Sequence, residues 1–466
     1  MSFIGTAKSI LEPVYFRLPQ RLCYGKKFWE VSEFLEQSQW WDRERLAEYQ
    51  LAKLRRILKH AGDHVPYYRA LFRSIGFDPR MISSTSDLRG IPLLDKTTVL
   101  ASPGDFIADN IGAEHRLYFT TGGTMGQPLG LYNLRDSGLR ERAFIYSLWA
   151  RAGFRRTDQR AILRGWAVRD KQHWRYNARE RAYVFSNFHM TPENVARYAG
   201  VMRRRRLGYL HVYPSAAIDF ARHLKDLGLE PPRFRTVLAA SENLYPGQRD
   251  FIESFYGARM FSWYGHTENV ILAGECEVSN YYHIYPEYGF VEVIREDGSQ
   301  AEAEGDTGEL VGTSLDNLAM PLIRYRTDDW AVIGPPKCEC GRNYRLLKET
   351  YGRWHQEMLV GNLNNLISVT ALNLHNDAFD HVQQLQFYQR EKGKVELRIR
   401  RKPDYTESDS RRILESLNEK IGDTAEISIR FTDEIPLMPR GKFRLVIREI
   451  ELPRAASEVP VDNRSF

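Results

Sequence analysis

A glycine-rich segment between two apolar stretches has residue types that bind phosphate groups. Residues 120–128 read TTGGTMGQP and combine three threonines with three glycines. Glycine lets backbone N–H groups approach an anion, and threonine hydroxyls add donors that rotate. No Gly-Lys-Ser/Thr sequence follows the glycines, which excludes a P-loop. The segment is therefore either a phosphate-binding loop or an ordinary glycine-rich turn.

A second segment, FSWYGHTENV at residues 261–270, places an aromatic ring beside polar groups at the predicted end of a strand. Tyr264 can stack on a purine, Thr267 can donate a hydrogen bond to a phosphate, and Glu268 can bind Mg²⁺. The alternative is a polar turn that follows a buried strand.

Two further segments have charged groups at predicted turns. In RYRTDDW the carboxylate of Asp329 or Asp328 can accept hydrogen bonds from both hydroxyls of a ribose. An exposed acidic turn whose carboxylates pair with Arg324 and Arg326 is an equal alternative. In IPLMPRGKFRLVI, Lys442 follows a Pro-Arg-Gly turn and can bridge a carboxylate and an α-phosphate. A solvated surface lysine is the alternative.

Composition indicates a folded protein with several domains. The chain has 466 residues, of which 42% are hydrophobic, and a net charge of +6. This charge mildly favours anionic ligands such as ATP but is too small for a dedicated nucleic-acid surface, so RNA binding is the weakest alternative. No window approaches about 18 apolar residues, which predicts no transmembrane segment. With no secretion signal and only four cysteines, we expect a cytoplasmic protein.

Periodicity predicts an α/β fold with a small additional domain. Residues 43–61 and 135–151 have helical periodicity, and strands alternate with helices up to about residue 265. From residue 287 alternating strands with an Asp297-Gly298 turn predict antiparallel structure. We expect a large multi-layer α/β domain over 1–352, an antiparallel β subdomain at about 276–350, and a small mobile α+β domain over 353–466. That last domain has a hairpin turning at residues 392–393 and a helix at 408–422.

The motifs TTGGTMGQP, YGHTE, YRTDD, Gly352-Arg353 and PRGK occur in an order that resembles the adenylate-forming acyl/aryl-CoA ligase superfamily. Within it the chain is most similar to the phenylacetate-CoA ligase-like branch that includes CapK-type proteins. AGDHVPYYRALF, IPLLDKT, HVYPSAA and CECGR are additional matches, and the resemblance spans roughly residues 45–450.

The resemblance implies a role for each matching residue. Lys442, Glu268 and Thr267 would act in catalysis, with Glu268 holding Mg²⁺ and Arg353 near the domain hinge. Tyr264 would lie against adenine and Asp329 against ribose. The remaining nucleotide-binding positions would be Thr120, Thr121, Gly123, Thr124, Gly126, Ser241, Glu242 and Gly265, and the acid would contact Tyr213, Pro214, Ser215 and His266.

The expected reaction is ATP-dependent activation of a carboxylic acid, release of pyrophosphate and transfer to CoA. An amine or hydroxyl acceptor, as in surface polysaccharide synthesis, is an alternative, and so is a nucleotide-binding module without catalysis. Gln127 in place of the usual lysine, Asp328 in place of a glycine, and WHQEM after Arg353 depart from the family pattern. The oligomeric state is open, with a homodimer among the options.

Cysteine and histidine spacing suggests a structural zinc site. Cys276 and His283 precede the pair Cys338-x-Cys340, which is followed by Gly-Arg in a knuckle-like turn. Three thiolates and one imidazole form a tetrahedral set that suits Zn²⁺. The branch that the chain resembles often has a similar C-x-C-G-R sequence. The alternative is four residues in unrelated places.

Overall fold

The computed structural model describes residues 24–121, 129–165, 173–242, 244, 247–352, 358–372, 374, 377–435 and 445–451. These residues form two compact units. The first unit contains the described residues up to 121 together with 129–156 and 262–352, and the second contains those of 157–261 and 353–466. In the part of the chain so described, no helix is long and apolar enough to cross a membrane.

Local capping groups set several helix ends. The Asp42 side chain accepts a hydrogen bond from the Arg45 amide at the start of the helix Arg43–His64. Gly76, with a left-handed φ of 66°, ends the helix Pro66–Ile75. The helices are α1 (Gly25–Ser38), α2 (Arg43–His64), α3 (Pro66–Ile75), α4 (Lys96–Ala101), α5 (Ser137–Arg151), α6 (Pro192–Arg204), α7 (Pro214–Asp226), α8 (Gln248–Tyr256) and α9 (Glu407–Ile421).

Strands in the described ranges are mostly short, and many are rich in β-branched and aromatic residues. They are β1 (Arg116–Thr120), β2 (Gly130–Leu134), β3 (Arg160–Arg164), β4 (Trp174–Asn177), β5 (Ala182–Ser186), β6 (Tyr209–Val212), β7 (Thr236–Ala240), β8 (Arg259–Gly265), β9 (Leu272–Gly274), β10 (Tyr282–Ile284), β11 (Gly289–Ile294), β12 (Thr307–Ser314), β13 (Tyr325–Ile333), β14 (Leu346–Tyr351), β15 (Met358–Val360), β16 (Leu366–Ser368), β17 (Val382–Glu391), β18 (Lys394–Arg401), β19 (Glu426–Phe431) and β20 (Val446–Arg448).

The first unit is built on antiparallel strands. They pair in the order β11, β12, β13, β14, β10, β9 and the last residues of β8, while β1 and β2 form a separate hairpin. Apolar residues of these strands pack with residues of α2 and α3 in one buried cluster that includes Leu54, Leu58 and Val293. The antiparallel structure predicted from residue 287 onward is confirmed.

The second unit contains parallel strands in the order β7, β6, β3, β5, with β4 antiparallel at the edge. Its C-terminal part has a four-stranded sheet in the order β19, β18, β17, β20. One apolar cluster joins residues of 157–261 to residues of 353–466, including Val237, Leu359 and Leu417. The α7 helix and β16 pack within this cluster.

Most elements predicted by periodicity are present. Predicted helices at 43–61, 135–151 and 408–422 are α2, α5 and α9, and the predicted hairpin turns at Gly393 with φ 69°. Strand β4 was not predicted, because its short, partly exposed sequence WRYN has no clear alternation. The four arginines at 203–206 are exposed at and just after the end of α6.

Candidate active site

Tyr264 and Asp329 lie next to each other in the first unit. Tyr264 is near the end of β8, and its hydroxyl donates a hydrogen bond of 2.8 Å to Asp329 Oδ2 on β13. Burial raises the pKa of Asp329 to about 6, although the Tyr264 hydrogen bond acts in the opposite direction. The carboxyl group is therefore mostly ionised at neutral pH and can accept hydroxyl donors of a ligand.

His266 and Glu268 form a second pair directly after β8. His266 Nδ1 lies 3.0 Å from Glu268 Oε2, and the Tyr325 hydroxyl donates to Glu268 Oε1 over 3.4 Å. Burial acts to raise the pKa of Glu268, but the His266 hydrogen bond and nearby charges outweigh it, so this pKa is lowered. A carboxylate that stays ionised while half-buried suits a divalent cation. Thr267 lies between the two residues, in the turn that follows Gly265.

Lys96 is a residue of this region that the sequence did not assign. It begins α4, it is buried, and its charge contributes to lowering the pKa of Glu268. Leu94 fixes the position of this segment, because its amide donates to Arg324 O and its carbonyl accepts from the Arg326 amide, each over 2.9 Å. The motif IPLLDKT contained the sequence signal for Lys96.

The backbone conformation of Asp328 shapes the turn that precedes Asp329. Its φ of 62° is left-handed, a conformation that glycine adopts without strain and aspartate tolerates better than most residues. The Asp328 amide donates to Glu309 Oε1 over 3.1 Å, where the register between β12 and β13 shifts. The Thr327 hydroxyl accepts from the Asp329 amide over 3.1 Å. The register shift therefore determines the backbone position from which the Asp329 side chain extends.

Thr120 and Thr121 lie at the end of the β1–β2 hairpin. Both are buried, and Thr121 Oγ1 accepts a hydrogen bond from the Leu129 amide over 3.1 Å. The Thr120 hydroxyl has no hydrogen-bond partner among the described residues, so it is available to a ligand. The predicted residues Gly123, Thr124 and Gly126 lie outside the described residues, as does Gln127.

Three of the four predicted acid-binding residues, Tyr213, Pro214 and Ser215, lie in the second unit after a parallel strand, as do the predicted nucleotide-binding residues Ser241 and Glu242, whereas His266 lies in the first unit. Tyr213 follows β6 and is buried, Pro214 is the first residue of α7, and Ser241 follows β7 at φ 70°. Arg164, which the sequence did not predict, donates a 2.7 Å hydrogen bond to Ser241 Oγ. Glu242 is half-buried next to Ser241. The side chain of Ser215 and the residues Arg353 and Lys442 lie outside the described part of the chain.

Cys276, His283, Cys338 and Cys340 converge in the first unit, as the zinc prediction requires. One ligand atom from each residue lies within 4.8 Å of all the others. His283 Nδ1 lies 3.0 Å from the Tyr281 carbonyl oxygen, which leaves Nε2 facing Cys340 Sγ at 3.2 Å. This arrangement orients an imidazole for metal binding through Nε2. The alternative that the four residues lie in unrelated places is wrong.

Comparisons with known proteins agree with these motifs. The family model for the CapK C-terminal domain matches residues 359–449. Phenylacetate-coenzyme A ligase of Thermus thermophilus is 26% identical over 339 residues, which cover 69% of this chain and 73% of that protein. The Pseudomonas putida protein of the same name is 26% identical over 326 residues, covering 68% of this chain and 73% of its own.

Solved structures of 2-hydroxyisobutyryl-CoA ligase share the fold. The postadenylation state with R3-HIB-AMP has a TM-score of 0.58 at 20% identity and covers 90% of this chain and 94% of that one. The thioesterification state with 2-HIB-AMP and CoA has a TM-score of 0.60 at 20% identity and covers 90% and 92%. With the CapK C-terminal match over residues 359–449, the chain is thus similar in sequence to phenylacetate-CoA ligases and in fold to an adenylate-forming CoA ligase.

Proposed function

We propose that the protein activates a carboxylic acid with ATP to form an acyl-adenylate, releases pyrophosphate, and then transfers the acyl group to CoA. Its relatives are phenylacetate-CoA ligases, and the structures with its fold hold acyl-adenylates. The observation that carries the proposal is the convergence in the first unit of the Tyr264–Asp329 pair and the His266–Glu268 pair. The Tyr264–Asp329 pair offers a ring and a carboxylate for a nucleoside, and the His266–Glu268 pair offers a half-buried, ionised carboxylate.

In the first step an oxygen of the acid's carboxylate attacks the α-phosphorus, and the bond from that phosphorus to the pyrophosphate oxygen breaks. Negative charge shifts onto phosphoryl oxygens during this exchange, so positioned donors and cations lower the barrier. We assign donation to the hydroxyls of Thr120, Thr121 and Thr267. Mg²⁺ held by Glu268 would supply positive charge at the leaving pyrophosphate. Lys442 is proposed to bring its ammonium to the α-phosphate.

In the second step the sulfur of CoA attacks the acyl carbonyl carbon, AMP leaves, and the thiol proton passes to solvent. We propose that residues 353–466 form the mobile lid that presents Lys442 in the first step and admits CoA in the second. The match of residues 359–449 to the CapK C-terminal domain supports treating this segment as a domain of its own.

The proposal is tested by exchange of labelled pyrophosphate into ATP across a panel of carboxylic acids. We expect exchange with the wild type and a loss of about 100-fold in Glu268→Gln and in Lys442→Ala, because each removes a charge needed in the transition state. Lys348→Ala is the matched control: Lys348 is exposed on β14 and should exchange within about twofold of wild type.

The same assay separates the alternatives. Exchange that is absent with every acid, while ATP still binds, would support a nucleotide-binding module and overturn the enzyme. Mass spectrometry of the products after adding CoA then identifies the acceptor. Formation of acyl-CoA supports the proposal. If the adenylate reacts only with an added amine or alcohol, that compound class replaces CoA as the proposed acceptor.

We also propose that Cys276, His283, Cys338 and Cys340 hold a Zn²⁺ ion with a structural role. A set of three thiolates and one imidazole is the donor chemistry that zinc prefers, and four protein ligands leave no open position for a substrate. The backbone amides of Val278 and Ser279 also donate to Cys276 Sγ, at 3.3 Å and 3.2 Å, which stabilises a thiolate at that position. This ion would join the segment after β9, strand β10 and the loop between β13 and β14.

A further inference from the structure

The parallel strands of the second unit contain a change in winding direction. After β3 the chain adds β5 on one side of β3, and then returns to add β6 on its other side, followed by β7 farther out. In open α/β sheets this reversal leaves a crevice at the carboxyl ends of the two central strands, and ligands bind there. The crevice in this unit therefore lies at the ends of β3 and β6.

Arg164 is the last residue of β3 and is held at this position by neutral groups. One Nη donates to Ser241 Oγ over 2.7 Å, the other donates to His211 Nε2, and the guanidinium carbon lies 4.5 Å from the centre of the Tyr213 ring. A guanidinium has five N–H donors, so three of them have no acceptor among the described residues. The side chain is thus oriented, partly exposed, and able to bind more acceptors.

The positive charge of this cluster is not balanced in the described part of the chain. No carboxylate there lies within ion-pair distance of Arg164, whereas Arg160 at the other end of β3 pairs with Glu180 at 2.7 Å. His211 is buried, and burial together with the charge of Arg164 lowers its pKa well below the usual value, so it is neutral and serves as an acceptor. A preorganised guanidinium without a counterion is suited to a carboxylate ligand.

The helix that follows β6 adds to this preference for an anion. α7 has 13 residues and begins with Pro214, directly after Tyr213, and no side chain caps its N-terminus. The amides of its first turn and the positive end of the helix dipole therefore lie at the same edge of the sheet as Arg164. Both features favour a negatively charged group in the crevice.

We propose that Arg164 binds a second carboxylate on the acid substrate, so that the enzyme selects dicarboxylic acids over acids with an apolar far end. This inference rests on the proposed function. The carboxylate that Arg164 binds is not the one that reacts with ATP. A cation on the reacting carboxylate would stabilise its charged ground state more than the acyl-adenylate, in which that charge is lost. Arg164 is then a specificity-determining residue of the acid site.

The test compares pairs of acids that share a skeleton: pentanoate with glutarate, and phenylacetate with 4-carboxyphenylacetate. We expect the wild type to show kcat/KM at least about tenfold higher for the dicarboxylate of a pair in pyrophosphate exchange, and Arg164→Met to remove that preference. Arg164→Lys keeps the charge and should retain part of it. Arg204→Met, on the exposed end of α6, is the control and should behave as wild type.

Binding measured by calorimetry without ATP makes the two proposals separable. In one outcome, glutarate or 4-carboxyphenylacetate binds the wild type but not Arg164→Met, and no acid supports pyrophosphate exchange. That outcome would support the Arg164 site and overturn the enzymatic function. Exchange with equal preference in the wild type and Arg164→Met would overturn the Arg164 site and leave the enzyme. An increase of KM for ATP alone in Arg164→Met would assign this residue to phosphate and also overturn the inference.

Discussion

At the residue scale, Asp329 combines a binding role with an unusual titration. Burial raises its pKa to about 6, while Tyr264 donates to one of its oxygens. His266, Glu268 and Asp328 are the other titratable groups that influence it. Both Asp329 oxygens accept ribose hydroxyls fully only in the ionised form, so in the proposed role a proton leaves when the nucleoside binds at low pH.

We therefore predict that adenosine binds more weakly as the pH falls through about 6. Because the folded pKa is raised, the carboxylate is fully available only above this value, and affinity should drop by up to about tenfold per pH unit below it. Titration calorimetry between about pH 5 and about pH 8 measures this, since adenosine itself stays neutral there. In Asp329→Asn, affinity should be low at every pH. A wild-type affinity that is constant with pH would contradict the assignment.

Asp328 shows how a departure from a family pattern can have a backbone explanation. The sequence indicated an extra carboxylate near the nucleotide, and the structure adds a left-handed φ of 62° at a register shift between β12 and β13. Glycine satisfies this conformation without strain, and aspartate is among the residues that tolerate it. The substitution therefore keeps the turn on which the geometry of Asp329 depends.

At the element scale, the candidate metal ligands lie on or next to short elements of the first unit. Cys276 follows β9, His283 lies in β10, and Cys338 and Cys340 lie between β13 and β14. Strands β9 and β10 have only three residues each, so few backbone hydrogen bonds between strands stabilise them. A bound ion would add a cross-link between the segments.

We predict one zinc per chain by elemental mass spectrometry, lost in His283→Ala and Cys340→Ser because each removes one of four ligands. Chelation should lower the melting temperature by about 5 °C or more, since binding energy of the ion contributes to folding. Glu339→Gln is the matched control: Glu339 is exposed between Cys338 and Cys340, is not one of the four ligands, and its substitution should keep the zinc. Protein purified with zinc available but containing none would refute the site.

At the scale of the whole molecule, the second unit is assembled from two distant parts of the chain. Residues 157–261 supply the parallel strands with α6, α7 and α8, and residues 353–466 supply β15 to β20 with α9. Their apolar side chains share one buried cluster. The C-terminal segment that we propose as a lid is therefore packed against its own unit in this arrangement, and lid motion would have to release part of that packing.

This shared core predicts that damage in β15 reaches the parallel strands. Leu359→Asp places a charge at a position that is 0% exposed, so it should destabilise the second unit by about 3 kcal/mol or more. Hydrogen exchange should then increase in α7 and β6 as well as in β15. Leu363→Asp is the control, because Leu363 is 51% exposed. Increased exchange confined to residues after 353 would show that the two parts fold independently.

Local chemistry and periodicity were readable from the sequence alone. The helices α2, α5 and α9 and the antiparallel strands after residue 287 follow from residue types and spacing, because these signals arise within a few residues of each other. The roles of Tyr264, Glu268 and Asp329 rest on the motif resemblance and stay predictions. The four residues of the candidate zinc site were also named from the sequence, although their spacing did not show that they converge.

Only the tertiary structure decided which distant residues meet. Tyr264 reaches Asp329 across 65 positions. Arg164 reaches Ser241 across 77, because β3, β6 and β7 are parallel and end at the same edge of the sheet. Lys96 owes its place to the Leu94 contact with β13 in the same way. Such pairings depend on how buried surfaces match over long separations, and no local pattern in the chain encodes them.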